Sequence, residues 1–220
     1  MAVYVSLSAQ VTAVAALVVF EQVRGRRLAG EISALGGDPH ASGAQALVGA
    51  VTVFAVLMLL VVATTITAAA TYLTWLVQAR RSAAPGAGAA PALAGWFLPA
   101  VNLVAPPMLV HRLWRACRPP ANRRARWVAL LTAWWLSWLA TLALILVRLP
   151  LDTAPGDTDL TGLGPTELAA VATSALLCAA TVRWITRIQT AGARHHRRAQ
   201  AVPVASQGAP QVLTRQVSAR

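Results

Sequence analysis

Four blocks of apolar residues, each long enough to cross a lipid bilayer, constrain this chain more than any other feature of its sequence. The first runs from Val3 to Phe20 and covers about 27 Å as a helix at roughly 1.5 Å per residue. The other three are residues 46–78, 127–147 and 165–185. Only 12% of the residues are charged, about half of what soluble domains carry. We therefore expect an all-α integral membrane protein, folded as a four-helix bundle.

The blocks differ in how they fit a bilayer. Block 46–78 is too long for one perpendicular span and too short for two, which predicts a tilted helix that projects beyond the membrane. The block at 127–147 is bounded by Arg126 and Arg148. In the first block no arginine precedes the apolar core, since the first one is Arg24, so it is not expected to be a cleaved signal.

Charge predicts the orientation. Segments 79–126 and 183–220 contain 15 of the 19 arginines, and all seven acidic residues lie outside them. Because cytoplasmic loops are enriched in basic residues, both termini are expected in the cytoplasm of a multi-pass cell-membrane protein. Arg24, Arg26 and Arg27 follow the first span and no arginine precedes it. Taken alone, this helix would therefore be expected to place its N-terminus outside the cell. Residues 1–198 are predicted to form the membrane domain and 199–220 a disordered cytoplasmic tail.

The net charge of +12 does not indicate a nucleic-acid partner. The arginines flank apolar spans, as expected beside an anionic leaflet, and no nucleic-acid-binding motif accompanies them. Every basic residue is Arg rather than Lys. Together with the many Ala, Gly and Pro residues, this indicates a GC-rich genome and a bacterial source.

The segment between the second and third spans, residues 91–118, is apolar at first but interrupted by proline. Pro91, Pro99, Pro106 and Pro107 break any continuous helix, and Asn102 would need a hydrogen-bond partner in lipid. If this segment crossed the membrane completely, one of the two groups of arginines that flank it would lie on the side opposite the cytoplasm. We therefore expect a re-entrant or interfacial hairpin rather than a fifth span.

From Pro107 onward the spacing predicts a basic amphipathic surface helix. Its apolar face comprises Leu109, Val110, Leu113, Trp114, Ala116 and Cys117. Its polar face comprises His111, Arg112, Arg115 and Arg118. Two alternatives fit this pattern: the helix lies on the membrane and offers Arg112, Arg115 and Arg118 to anionic lipid or an acidic partner, or it is a cytoplasmic cap packed on the bundle.

This segment also carries a family resemblance. The stretch WLVQARRSA and then GWFLPAVNLVAPPMLVHRLWRAC resembles the bacterial membrane family catalogued as domain of unknown function 4328, over roughly residues 75–182. The residues at matching positions are Gly95, Trp96, Phe97, Pro99, Asn102, Leu103, Pro106, Trp114, Arg115 and Ala116. The resemblance implies the membrane fold and no activity.

No pattern in the sequence predicts a catalytic, cofactor or metal site. His111 and Cys117 fall on different faces of the surface helix, and His195 and His196 lie among arginines, which oppose metal binding. The acidic turn at 152–159 lacks the glycine and terminal glutamate of a calcium loop. The two cysteines are expected to stay unpaired, since Cys178 lies in a span and Cys117 outside the membrane.

The sequence leaves three functions open. A non-enzymatic scaffold or regulator with a basic cytoplasmic face is the first. The second is a small channel or transporter subunit that uses the threonine-rich second span, although no ionisable residue lies deep in any span. An enzyme acting on lipid is the third, and it lacks a recognisable acid, base or nucleophile.

Overall fold

The described part of the chain forms five α-helices. The computed structural model describes residues 1–25, 27–28, 30–31, 44–83, 104–117, 121–148 and 161–201, and no strand occurs within these ranges. The helices are α1 (Ala2–Phe20), α2 (Ala44–Ala83), α3 (Ala105–Ala116), α4 (Arg124–Arg148) and α5 (Pro165–Ala201). A π-helical turn, Glu21–Gly25, extends α1, and a 3-10 turn, Ala121–Arg123, precedes α4. The predicted all-α fold is confirmed.

Four of these helices are long and apolar enough to cross a membrane. Their candidate spans are Ala2–Gly25, Leu47–Ala83, Arg124–Val147 and Pro165–Gly192. The protein is thus a multi-pass membrane protein, and each predicted span lies on one of these helices. The 40 residues of α2 extend for about 60 Å, twice the roughly 30 Å of a hydrocarbon core. The helix α5 continues to Ala201, past the predicted start of the tail at residue 199.

Hydrogen bonds and ring contacts set the direction of the helices. The Ser6 and Thr71 hydroxyls are 2.7 Å apart, and Gln10 Nε2 donates to Thr65 Oγ1 at 3.2 Å. Farther along α1, the Phe20 ring lies 6.3 Å from that of Phe54. Positions rise along α1 as they fall along α2, so these two helices are antiparallel. Polar bonds of this kind hold helices together within a bilayer.

The second pair of long helices is also antiparallel. Trp127, at the start of α4, lies 6.5 Å from Trp184, which is late in α5. The end of α1 meets the approach to α5, because Glu21 accepts hydrogen bonds from Thr161. One end of the bundle therefore collects the start of α1, the end of α2, the start of α4 and the Trp184 turn of α5. We call it the arginine end.

The buried core is concentrated at the arginine end. It contains Tyr72, Leu76 and Ala79 from α2 together with Trp127, Leu131, Trp134 and Trp135 from α4. It also contains Val3, Cys178, Val182 and Ile185 from α1 and α5, and Val110, Leu113 and Trp114 from α3. Toward the opposite end, large apolar side chains are exposed on α2 and α4, from Val48 to Ile66 and from Leu136 to Val147. Such surfaces suit lipid rather than water.

Candidate functional site

The short helix α3 joins the four long helices at the arginine end. Pro106 and Pro107 occupy its first turn, where a missing backbone N–H costs nothing. The backbone N–H of Cys117 donates to the carbonyl oxygens of Leu113 and Trp114 and closes the last turn. In the sequence Pro119 and Pro120 follow, and proline cannot continue a helix. Prolines on both sides therefore limit α3 to residues 105–116.

The apolar face of α3 is buried in the protein. Val110, Leu113 and Trp114 all belong to the core, and Trp114 is only 4% exposed. The Trp114 ring lies parallel to that of Trp127, with centroids 5.6 Å apart and 4° between the planes. This arrangement matches the second alternative for the segment, a cap packed on the bundle. Leu109 is half-buried, and Ala116 is exposed although its spacing predicts burial.

His111 belongs to this packed surface and not to the charged face on which its spacing places it. Its Nδ1 accepts a hydrogen bond from Trp127 Nε1 at 3.3 Å, and its ring stacks on Trp114 at 5.8 Å. Partial burial and the positive charges of Arg115 and Arg124 lower the pKa of His111. A neutral imidazole is the form that accepts a hydrogen bond from an indole. His111 thus acts as an acceptor that fixes the Trp127 indole.

Gln189 of α5 contacts the last turns of α2. Its Nε2 donates to the Ala79 carbonyl oxygen at 2.9 Å. Its side chain also hydrogen-bonds Cys117, but burial is the larger effect and raises the pKa of that thiol. Cys117 is therefore a poor nucleophile, because reactive cysteines have a lowered pKa. Both cysteines are free.

Exposed arginines surround α3 on the outer surface of the arginine end. Arg112 and Arg115 lie on the exposed side of the helix itself. The end of α2, the start of α4 with the turn before it, and the middle of α5 contribute further exposed arginines, namely Arg81, Arg123, Arg124, Arg126, Arg183 and Arg187. We call these eight residues the basic face. The third predicted contact residue, Arg118, lies outside the described residues.

The family motif is only partly described. Pro106 and Trp114 are buried, whereas Arg115 and Ala116 are exposed. The motif thus contributes to both sides of α3, to its packing and to the basic face. The remaining motif residues, Gly95, Trp96, Phe97, Pro99, Asn102 and Leu103, lie outside the described ranges, as do residues 91–103 and 118 of the predicted hairpin.

Two buried carboxylates near the opposite end are not predicted from the sequence. Glu21, 1% exposed, accepts hydrogen bonds from the Thr161 backbone N–H at 3.2 Å and from its hydroxyl at 3.3 Å. Glu167 accepts from the Gly164 N–H at 2.8 Å, three positions before it, as in a capping box. That spacing could have revealed Glu167. Nothing near Glu21 in the sequence indicates its partner, since Thr161 is 140 positions away.

The threonines of α2 bond mainly to their own helix. The hydroxyls of Thr64, Thr65, Thr67, Thr71 and Thr74 each donate to a carbonyl oxygen one turn earlier. Thr65 and Thr71 also contact α1. Across the described part of the chain, no three His, Cys, Asp or Glu side chains are grouped as metal ligands.

Comparison with known proteins gives the same family as the motif does. The family described as Domain of unknown function (DUF4328) matches residues 34–190. This range contains α2, α3, α4 and most of α5, and therefore the whole basic face. No curated protein and no solved structure matches the chain. Since the family match covers well over half of its length, the chain belongs to the DUF4328 family.

Proposed function

We propose that this protein is a non-enzymatic scaffold or regulator of the bacterial plasma membrane, which binds an acidic protein partner at its basic face. In this proposal the arginine end and both termini are cytoplasmic. The main support for binding at the basic face is the separation of the arginines from the acidic residues. The basic face presents eight exposed arginines, and no Asp or Glu occurs in the segments 79–126 and 183–220 that supply them.

Without acidic neighbours to neutralise them, these arginines create a positive field at one end of the molecule. Such a field steers an oppositely charged partner toward the surface and excludes partners of like charge. Arginine also forms paired hydrogen bonds with a carboxylate. The basic face therefore favours a partner rich in Asp and Glu.

The packing of α3 also supports the binding of a partner, in addition to the charge of the basic face. Val110, Leu113 and Trp114 anchor the helix in the core, so Arg112 and Arg115 project from a backbone that is already fixed. A preformed surface loses less conformational entropy when a partner binds. A helix lying loosely on lipid would lack this advantage.

The same details support a scaffold over the two other functions. The threonine hydroxyls of α2 donate to their own backbone or bond to α1, which favours helix packing over a polar path. At the arginine end, His111 forms a hydrogen bond with Trp127, and Cys117 forms one with Gln189. Neither residue is arranged as a nucleophile with an adjacent base.

Affinity capture from native membranes tests the proposal. The variant Arg112→Gln/Arg115→Gln/Arg118→Gln is compared with Arg24→Gln/Arg27→Gln, which removes charges near the opposite end. We expect a stoichiometric acidic partner to be retained by the wild type and by the control and lost from the triple variant. Equal recovery from all three would contradict binding at the basic face. Ion or solute flux through reconstituted wild-type protein would support the channel alternative instead.

A further inference from the structure

A groove of about 360 Å³ runs between α1 and α5 within the span region. Its α1 side is lined by Tyr4, Leu7, Ser8, Val11 and Thr12, and its α5 side by Ala172, Ala175, Leu176 and Ala179. Both sets follow the spacing of one helical face. The volume falls within the range of small-molecule sites, about 300–1,000 Å³. None of the lining residues belongs to the basic face, although Arg183 of that face follows the lining residue Ala179 by one helical turn.

Small residues create the groove and its walls are mostly apolar. Three of the four α5 positions are alanine, so α1 and α5 are separated where larger side chains would fill the space. The Thr12 hydroxyl donates to the Ser8 carbonyl oxygen at 2.9 Å, which turns this polar group toward its own backbone. Leu176, at the edge, is 72% exposed. An apolar groove that opens sideways within a bilayer faces hydrocarbon chains.

The groove has about the length of one leaflet and lies in the half of the bundle next to the arginine end. From Tyr4 to Thr12 the distance along α1 is about 12 Å, compared with roughly 15 Å for half of a hydrocarbon core. Tyr4 is close to the start of α1, and Ala179 lies one turn before Arg183. The groove therefore extends from the arginine end over about the first half of α1.

An arginine follows the lining residues of α5 by one helical turn. Arg183 is exposed and follows Ala179 by four positions, which places it on the face of α5 that lines the groove. Helical side chains lean toward the N-terminus of their helix, so the stem of Arg183 covers the turn that contains Ala179. Because the arginine side chain is long, its end can turn back toward the arginine end and bring the guanidinium to headgroup depth, where arginine binds phosphate through paired hydrogen bonds.

From these observations we infer that the groove holds one acyl chain of an anionic phospholipid whose phosphate contacts Arg183. The alanine-lined walls enclose the chain, Tyr4 contacts the region where the chain joins the headgroup, and Arg183 selects for negative charge. Because lipid tails are as apolar as the groove, the preference between lipids comes from the headgroup contact and from packing.

Native mass spectrometry of the full-length protein in detergent tests the site. The protein is titrated with phosphatidylglycerol and with phosphatidylcholine that carry identical acyl chains. For the wild type we expect one phosphatidylglycerol to bind more tightly than the rest and to be preferred over phosphatidylcholine. Absence of such a lipid would overturn the proposal.

Two substitutions separate the chain site from the headgroup site. Ala175→Phe fills the groove and should weaken binding of the first lipid about tenfold or more, whichever headgroup it carries. Ala69→Phe is the matched control, because Ala69 is exposed on α2 at a similar depth, between the Thr65 and Thr71 contacts with α1. If both variants bind lipid equally, no chain occupies the groove.

Arg183→Gln leaves the lining of the groove intact and removes the headgroup contact together with one of the eight arginines of the basic face. The preference for phosphatidylglycerol should fall about fivefold, which corresponds to the loss of about 1 kcal/mol for one basic residue. Arg27→Gln, exposed near the opposite end, should leave the preference unchanged. An unchanged preference in Arg183→Gln would overturn the assignment of the phosphate, and this test remains decisive even if Ala175→Phe does not fold.

Discussion

At the scale of single residues, a cluster of aromatic side chains connects α3 to the long helices. Trp127 is fully buried and lies between Trp114, His111 and Trp184. Stacked aromatic pairs contribute about 0.5–1.5 kcal/mol beyond their buried area. Since Trp127 contacts side chains from both α3 and α5, its ring is the point at which three elements meet.

Replacing Trp114 should therefore destabilise the whole protein. We expect Trp114→Ala to lower the free energy of unfolding by about 3–5 kcal/mol, as for other large aromatic side chains deleted from cores. Thermal unfolding in detergent measures the change. Arg112→Ala, on the exposed side of the same helix, should change it by less than about 0.5 kcal/mol. Equal effects of the two substitutions would mean that α3 is not anchored by Trp114.

His111 should make stability depend on pH. Its pKa is lowered in the folded protein by burial and by Arg115 and Arg124, so the unfolded chain, with a pKa near 6.5, binds the proton first as pH falls. The contribution of neutral His111 is thus complete above about pH 6.5 and is lost as pH falls toward the lowered value.

Melting temperatures measured between pH 5 and pH 8 test this effect. The wild type should lose stability toward pH 5, and His111→Gln, which keeps an acceptor for the Trp127 indole but does not titrate there, should lose less. Identical pH profiles would show that His111 is not the group responsible.

At the scale of helices, one polar contact fixes α1 against the start of α5. The Glu21 carboxylate accepts two hydrogen bonds from Thr161 near the end opposite the aromatic core. Removing it leaves the half-buried Thr161 N–H without this acceptor. An unsatisfied buried polar group costs about 1–3 kcal/mol.

Glu21→Ala is accordingly expected to destabilise the protein by about 1–3 kcal/mol. The exposed neighbour Gln22 supplies the control, because Gln22→Ala changes the same turn of the helix without touching Thr161. Unfolding in detergent compares the two variants. A Glu21→Ala protein as stable as the Gln22→Ala protein would indicate that the contact contributes nothing.

These contacts also explain which parts of the structure the sequence predicts. The four spans follow from length and apolarity, which are local properties, and helical spacing correctly places Val110, Leu113 and Trp114 on a buried face. The same spacing is wrong for Ala116, the last residue of α3, because it assumes a helix packed along its full length. The roles of His111 and Glu21 depend on Trp127 and Thr161, and no local pattern encodes such distant partners.

At the scale of the whole molecule, the antiparallel order of α1, α2, α4 and α5 determines which loops share a side of the membrane. Reporter fusions near Pro85, Arg124 and Arg198 should report the cytoplasm, and fusions near Gly36 and Gly156 the other side, because 15 arginines are separated from all seven acidic residues. A cytoplasmic signal at Gly156 would contradict this topology. A failure at Gly36 alone would indicate that Arg24, Arg26 and Arg27 determine the orientation of α1.

The position of the aromatic core has a consequence for biogenesis. Helices α1 and α2 form one hairpin and α4 and α5 another, and α3 is synthesised between them. Trp114 therefore leaves the ribosome before Trp127, its stacking partner, and α3 has no complete site until α4 has been inserted. We expect the first hairpin to enter the bilayer before α4 and α5 are synthesised, and α3 to join the two hairpins at the arginine end only afterwards. Until then the unassembled first half exposes Trp114, a feature that membrane chaperones and proteases can recognise in chains whose synthesis stops early.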